Sequence, residues 1–189
     1  MRFLATCSTI RTGALTALLS VASVGCSSAG PYGYSRDYSP LSAEEEAVDG
    51  AREYDPIMAQ REPDDWKKGK VMLFGVVRSR SEGPGGTAYL SLGMRTLAAR
   101  NLCDDFEEET CRVTVGTKEH AIVHVLAKLD ANDNIGKESV SAGSLVRVVG
   151  KLSDGVDPDD GMPVLEVQYY RHWPRGFYVT SADASHMRK

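Results

Sequence analysis

Two histidines four residues apart are the first residues whose type and spacing could bind a metal ion. On a helix, His120 and His124 would lie on one face and could share an ion. The residues between and after them are Ala-Ile-Val and Val-Leu, which favour a strand. Four residues along a strand span about 13 Å, and Glu119 before the pair does not complete the HExxH zinc motif. We therefore predict no metal site at these histidines, and no cofactor for the chain.

Aspartates are concentrated in two segments that could hold a cation. Residues 130–136 begin like an EF-hand calcium loop, but the sixth position is Ile135 rather than glycine and the twelfth is Ser141 rather than glutamate. The second segment, 156–162, contains Pro-Asp-Asp-Gly, which is typical of a hairpin turn. Both segments are predicted to be turns. A weaker alternative for the second is a cation site formed by Asp154, Asp157, Asp159 and Asp160.

Catalytic motifs are not recognisable in the chain. The histidines, serines and cysteines form no nucleophile elbow and no known triad pattern. We predict no catalytic residue and no enzymatic activity.

The C-terminal aromatic and arginine stretch is the strongest candidate for binding. Aromatic residues and arginine dominate the energetics of binding interfaces. The same side chains could instead close a barrel, because half of a strand faces inward. Both interpretations remain open for Tyr169, Tyr170, Arg171, His172, Trp173, Arg175 and Tyr178.

Residues 1–25 have the pattern of a secretory signal peptide. Arg2 and Arg11 form a positive start, and the apolar stretch that follows is too short to span a membrane. The segment Ser23-Val24-Gly25-Cys26 resembles the lipobox of bacterial lipoproteins, a family in which the cysteine receives a diacylglycerol and the chain is cut before it. Ordinary secretion, with Cys26 incidental, is the alternative.

The lipobox resemblance implies a location as well as a modification. It implies that Cys26 carries lipid, including palmitate, and anchors the chain in a membrane. Ser27, where an aspartate would favour the inner membrane, implies the bacterial outer membrane, with the domain facing the periplasm or the cell surface.

Two further cysteines are predicted to form a disulfide. Cys7 lies in the leader and Cys26 would be acylated, so Cys103 and Cys111 remain. An even remainder in an oxidising compartment indicates one bridge, which across so short a loop would stabilise the fold by about 2–3 kcal/mol. The alternative is a pair of free thiols in a cytoplasmic protein.

The mature chain divides into a tether, a helical segment and a β domain. Residues 26–42 are rich in Gly, Pro and Ser and have no hydrophobic period, as expected for a flexible spacer. Residues 43–66 are predicted to contain a short helix, capped by Ser42 and Glu45. Residues 181–189 form a polar tail. Strand patterns fill 67–180, at 70–80, 88–99, 112–117, 121–128, 144–153 and 162–173.

The order of these strands resembles an OB-fold, the five-stranded Greek-key barrel. The predicted class is therefore mainly β, a small antiparallel barrel of five to six strands. A narrower resemblance is to the Slp-type outer-membrane lipoproteins, through the lipobox, the segment Ser144–Leu152 and the close Tyr170-Arg-His-Trp-Pro174. That family implies an envelope lipoprotein without known catalytic residues.

Charge and anchoring lead to the functional expectation. Without Arg2 and Arg11, 20 of the 22 basic side chains remain against 26 acidic ones, a formal charge of −6. No basic face is visible from the spacing, so we predict no nucleic-acid partner. The expected function is a non-catalytic interaction or structural module that contacts envelope proteins or cell-wall components. A saccharide- or peptide-binding module acting through residues 169–178 is the alternative, and an envelope hydrolase is a more distant one.

Overall fold

The computed structural model describes residues 36–38, 40–98, 100–101 and 113–182 of the 189-residue chain. The predicted leader, the lipidated Cys26 and the Cys103–Cys111 bridge lie outside the described residues and stay predictions. So do the predicted domain boundaries and the predicted location.

The described residues contain four short α-helices, one 3-10 turn (Pro84–Gly86) and ten strands. None of these helices is long and apolar enough to span a membrane. The helices are α1 (Ser42–Val48), α2 (Pro56–Arg61), α3 (Pro63–Lys68) and α4 (Ala131–Asn134). The strands are β1 (Arg36–Asp37), β2 (Arg52–Glu53), β3 (Val71–Glu82), β4 (Ala88–Arg95), β5 (Arg100–Asn101), β6 (Thr114–Val115), β7 (Ile122–Ala127), β8 (Leu145–Val156), β9 (Pro163–Trp173) and β10 (Val179–Thr180).

Five strands close into a barrel. Their order around it is β3, β4, β7, β9 and β8, and β8 pairs with β3 to complete the circle. In barrel numbering this order is 1-2-3-5-4-1, the topology of an OB-fold. The prediction of a mainly β, OB-like barrel is therefore confirmed.

The barrel is mixed rather than antiparallel throughout. β7 and β9 pair in parallel, with His124 opposite Val164, whereas the other four pairs of the closed barrel are antiparallel. The reason is the Greek-key connection. Because β8 leaves β7 to pair with β3, the hairpin partner β9 fills the gap beside β7 and runs in the same direction.

Alternating residues of the barrel strands form the interior. Val71, Leu73 and Val77 of β3 pack with Leu90 and Leu92 of β4, and all five are nearly or fully buried. Such period-2 burial is what the valine-rich strand patterns predict. On the outside, a second apolar cluster contains Phe74, Val113, Val115, Leu145 and Trp173.

A buried carboxylate joins the first helix to this outer cluster. Glu44 of α1 is fully buried, and its Oε1 accepts hydrogen bonds from the Tyr38 hydroxyl and the Arg147 guanidinium, each at 2.5 Å. Its Oε2 accepts from Arg171 at 2.9 Å and from the Leu41 N–H at 3.1 Å. The two guanidiniums also lie against aromatic rings, including Phe74 and Trp173. The network holds α1 on β8 and β9.

Two local predictions require correction. The cap of α1 lies one residue earlier than the predicted Ser42–Glu45 box, because Glu44 folds back onto Leu41 as part of the buried network. The helix ends at Val48. In the 130–136 segment the predicted turn contains one turn of helix, α4.

Replacement of Glu44 tests the buried network. Glu44→Ala leaves two buried guanidiniums without their carboxylate, and we expect the free energy of unfolding to fall by about 3–5 kcal/mol. Urea denaturation measures the loss. Glu45→Ala, which removes an exposed carboxylate from the same helix, is the control and should change stability by less than about 0.5 kcal/mol. Equal losses in both variants would contradict the role of the network.

The same carboxylate predicts a pH dependence. Burial by itself raises the pKa of Glu44, but hydrogen bonds from Tyr38 and Arg147 and the neighbouring positive charge bring it below its ordinary value of 4.5. A lowered pKa in the folded state contributes stability above about pH 4.5, and this contribution is lost as the pH falls through the folded pKa. The stability difference between the native chain and Glu44→Gln should therefore shrink on acidification below that value. A constant difference would contradict the prediction.

Gly150 permits the close approach of β8 and β9. A Cβ at this position would lie 2.0 Å from the backbone oxygen of Glu166, at the register shift between Val149 and Gly150. The backbone of Glu166 cannot move away without disturbing the pairing of β8 and β9. We therefore expect Gly150→Ala to lower the free energy of unfolding by about 1–3 kcal/mol, as measured by urea denaturation. Gly155→Ala in the same strand, where the nearest atom is 4.0 Å away, is the control and should be close to neutral. Equal effects of the two alanines would refute the steric explanation.

Candidate functional site

Most of the predicted binding stretch contributes to packing. Trp173 is fully buried in the outer cluster, and Arg171 is buried against Glu44. The side chain of His172 is 4% exposed, and its Nδ1 lies 2.9 Å from Asp133 Oδ1. Tyr169 is half-buried and lies opposite Val149 of β8. These positions support the barrel-closing interpretation that the sequence left open.

Tyr170 fixes the connection that carries α4. Its hydroxyl accepts a hydrogen bond from the Asp130 N–H and donates one to Asp133 Oδ2, both at 2.8 Å. Burial, together with the two aspartates, raises the pKa of Tyr170, while the Asp130 N–H acts in the opposite direction. The hydroxyl therefore stays protonated at neutral pH and acts as a structural donor.

Arg175 and Tyr178 are the members of the stretch that reach an open cleft. The cleft has a volume of about 500 Å³. Val77 and Arg78 at the register shift of β3 form one wall, and residues 142–143 before β8 lie beside them. Residues 175–176 and 178–180, after β9, complete the lining, and Arg175 is exposed.

Two arginines from distant parts of the chain line this cleft, and a third lies near its tyrosine. Arg78 and Arg175 line it directly. Arg95, at the end of β4, lies close enough to Tyr178 to act on its ionisation. Burial raises the pKa of Tyr178, whereas the charges of Arg95 and Arg175 lower it. A neutral, half-buried phenol ring thus lies among positive charges.

Glu119 is the acidic counterpart of the cluster. Its Oε1 lies 3.5 Å from Arg78, and its Oε2 lies 3.9 Å from Arg95. The carboxylate fits there because position 93 is glycine, since a Cβ on Gly93 would lie 2.0 Å from Glu119 Oε2. Both ion pairs are partly exposed, so each is worth less than about 1 kcal/mol. A phosphate could therefore compete with Glu119 for the two guanidiniums.

The arrangement is suited to a polyanion with flat rings. Guanidinium groups pair with phosphate oxygens in a bidentate manner, and a tyrosine ring can stack on a base. Sequence reasoning found Arg175 and Tyr178 but missed Arg78 and Arg95. Nothing in the local sequence of those two residues marks them, because only the closure of the barrel brings β3, β4 and the segment after β9 together.

Comparison with solved structures finds chains that are similar to part of this one. Two structures of PriB from Ralstonia solanacearum are 15% and 14% identical to this chain, with TM-scores of 0.28 and 0.27. Each comparison covers 55% of this chain, and 95% and 96% of the PriB chains. A deletion variant of the single-stranded DNA-binding protein from Thermus aquaticus is 19% identical, with a TM-score of 0.29. That comparison covers 55% of this chain and 49% of the other. No family model and no curated protein matches the chain.

These findings correct the functional prediction. The similar structures are PriB and a single-stranded DNA-binding protein. The prediction of an envelope-lipoprotein interaction module is therefore wrong, and so are its saccharide, peptide and hydrolase alternatives. The exclusion of a nucleic-acid partner is wrong as well. The exclusion failed because it looked for basic residues close in sequence. The predicted lack of enzymatic activity stays a prediction. At such low identity the similarity concerns the fold, and binding depends on this chain's own residues.

Proposed function

We propose that this OB-fold domain binds single-stranded nucleic acid in the cleft between Arg78 and Arg175. The observation that carries the proposal is a cleft lined by Arg78, Arg175 and Tyr178, with Arg95 close enough to Tyr178 to lower the pKa of its hydroxyl. Single-strand binding uses a positive groove for the backbone and aromatic side chains for the bases. Among the similar proteins, the one from Thermus aquaticus is named for binding single-stranded DNA.

The local charge of the cleft differs from the charge of the chain. The formal net charge is −4, which opposes a polyanion at long range. Near the cleft, Arg78 and Arg95 pair with the carboxylate of Glu119, and Arg175 adds a third positive charge to the cleft lining. Binding should therefore be confined to the cleft and sensitive to salt, because short-range phosphate contacts must overcome a weak overall repulsion.

Removal of one guanidinium tests the electrostatic part. With a fluorescein-labelled oligothymidylate, anisotropy titrations of the native chain should show an affinity that falls with salt, with a logarithmic slope of about −2 for three phosphate contacts. Arg175→Gln should weaken binding and reduce the magnitude of the slope by about 0.7. Arg61→Gln, at an exposed position of α2, makes the same charge change outside the cleft and is the control.

Two results would contradict the electrostatic proposal. The first is native protein that does not bind the oligonucleotide at low salt. The second is an Arg61→Gln variant that loses as much affinity as Arg175→Gln, because the interaction would then follow net charge and not the cleft.

Replacement of Tyr178 tests stacking. Tyr178→Phe keeps the ring and should bind like the native chain, whereas Tyr178→Ala should lose about 1–3 kcal/mol of binding free energy. The same anisotropy titration measures both, and circular dichroism verifies that each variant is folded. An alanine variant that binds as tightly as the phenylalanine variant would remove Tyr178 from the interface.

A further inference from the structure

A second cluster of chemically active side chains lies on the β4–β7 face, beneath the loop between β8 and β9. It contains His124 of β7 together with Asp157 and Asp160 of that loop. Each residue offers one ligand atom, and the three atoms lie within 4.8 Å of one another. The aspartates were a weak cation candidate in the sequence, where His124 had no evident connection to them. The barrel supplies the connection by placing β9 beside β7.

His124 is held in position and directed at the carboxylates. It is 7% exposed, and its ring stacks on Tyr89 of β4, with a centroid distance of 5.3 Å and an angle of 11° between the planes. Its Nε2 lies 2.8 Å from Asp160 Oδ2. Its Nδ1 is buried and has no hydrogen-bond partner among the described residues. Nε2 is therefore the ring nitrogen that faces the carboxylates of the loop.

Both aspartates are held by hydrogen bonds, Asp157 through both carboxylate oxygens and Asp160 through Oδ1. Asp157 Oδ1 accepts the N–H groups of Asp159 and Asp160, at 2.9 and 3.1 Å, while its Oδ2 accepts the hydroxyl of Tyr89. Asp160 Oδ1 accepts the Met162 N–H at 2.9 Å, and its Oδ2 faces His124. Such supporting hydrogen bonds orient ligands in metal sites.

From this geometry we infer that His124, Asp157 and Asp160 form a binding site for a divalent transition-metal ion of the zinc class. One imidazole nitrogen and two carboxylate oxygens are ligand types that zinc accepts, and two ligand atoms on a tetrahedral zinc ion lie about 3.4 Å apart. The three ligand atoms lie within 4.8 Å of one another, so the longest separation has to shorten by at most about 1.4 Å (4.8 − 3.4) to match. The ion takes the place of the proton between His124 and Asp160, and its two positive charges balance the two carboxylates.

The remaining coordination position faces solvent. The side chain of Asp160 is 39% exposed, so a water molecule or an external ligand can reach the ion beside it. Because metal-bound His124 would carry its proton on Nδ1, without an acceptor among the described residues, we expect an affinity about 10–100-fold below that of a site with a supporting acceptor. The site is independent of the proposed nucleic-acid cleft.

Zinc titration of paired aspartate variants tests the inference. The untagged full chain with alkylated thiols is titrated with zinc chloride by isothermal calorimetry, and one equivalent should bind. Asp160→Asn keeps the shape and the bond to the Met162 N–H but weakens a ligand, so zinc affinity should fall at least about 10-fold. Asp159→Asn changes the same charge in the same loop outside the cluster and should bind zinc like the native chain.

Thermal unfolding provides a second readout that does not depend on calorimetry. Zinc should raise the Tm of the native chain and of Asp159→Asn, but not that of Asp160→Asn, because a ligand that binds only the folded state stabilises it. Magnesium at the same concentration should have little effect, since it prefers an octahedral set of oxygens.

The outcomes separate cleanly. No zinc binding by the native chain, or equal losses in Asp159→Asn and Asp160→Asn, would overturn the site. A magnesium effect as large as that of zinc would overturn its assignment to the zinc class. We expect Asp160→Asn to bind the oligonucleotide like the native chain, because no residue of the cluster lines the cleft, so failure here leaves the nucleic-acid proposal intact.

Discussion

The ion network around Glu44 is the interaction on which the arrangement of the outer barrel wall depends. A fully buried carboxylate is costly unless its charge is paired and its oxygens accept hydrogen bonds. Here Arg147 of β8 and Arg171 of β9 supply the charge, and Tyr38 completes the set. Because all partners must be in place together, the network fixes α1, β8 and β9 relative to one another. It also engages Arg171, which the sequence analysis considered as a binding residue, in a buried ion pair.

Closure of the barrel creates both sites from residues that are unremarkable in sequence. At one place, Arg78 at the register shift of β3 and Arg175 after β9 line a cleft together with Tyr178, and Arg95 at the end of β4 lies near that tyrosine. At another, the parallel pairing of β7 and β9 brings His124 beneath the loop that holds Asp157 and Asp160. The first site favours phosphates and flat rings, the second a divalent ion. Both depend on the Greek-key order, because it makes neighbours of strands that are distant along the chain.

Two glycines make room for close contacts that a side chain would block. Gly150 lets β9 approach β8 at their register shift, and Gly93 leaves room for the Glu119 carboxylate between two arginines. Glu119 neutralises part of the positive cluster at little cost, since its ion pairs are partly exposed. Separation of Glu119 from Arg78 and Arg95 would therefore not cost a large stabilising interaction.

The sequence by itself determined the strands of the barrel and the class of fold. Alternating valines and leucines at 71–77 and 145–149 predict buried strand faces, and a glycine-interrupted first strand with a final hairpin indicates the OB-like order. Only the tertiary structure decided which polar residues meet. Arg78 and Arg175 are nearly a hundred positions apart, and His124 precedes Asp157 by more than thirty, so no spacing rule relates them. The local sequence pattern predicts on which face of a strand each side chain lies. Contacts between side chains of different strands and loops depend on barrel closure and strand register.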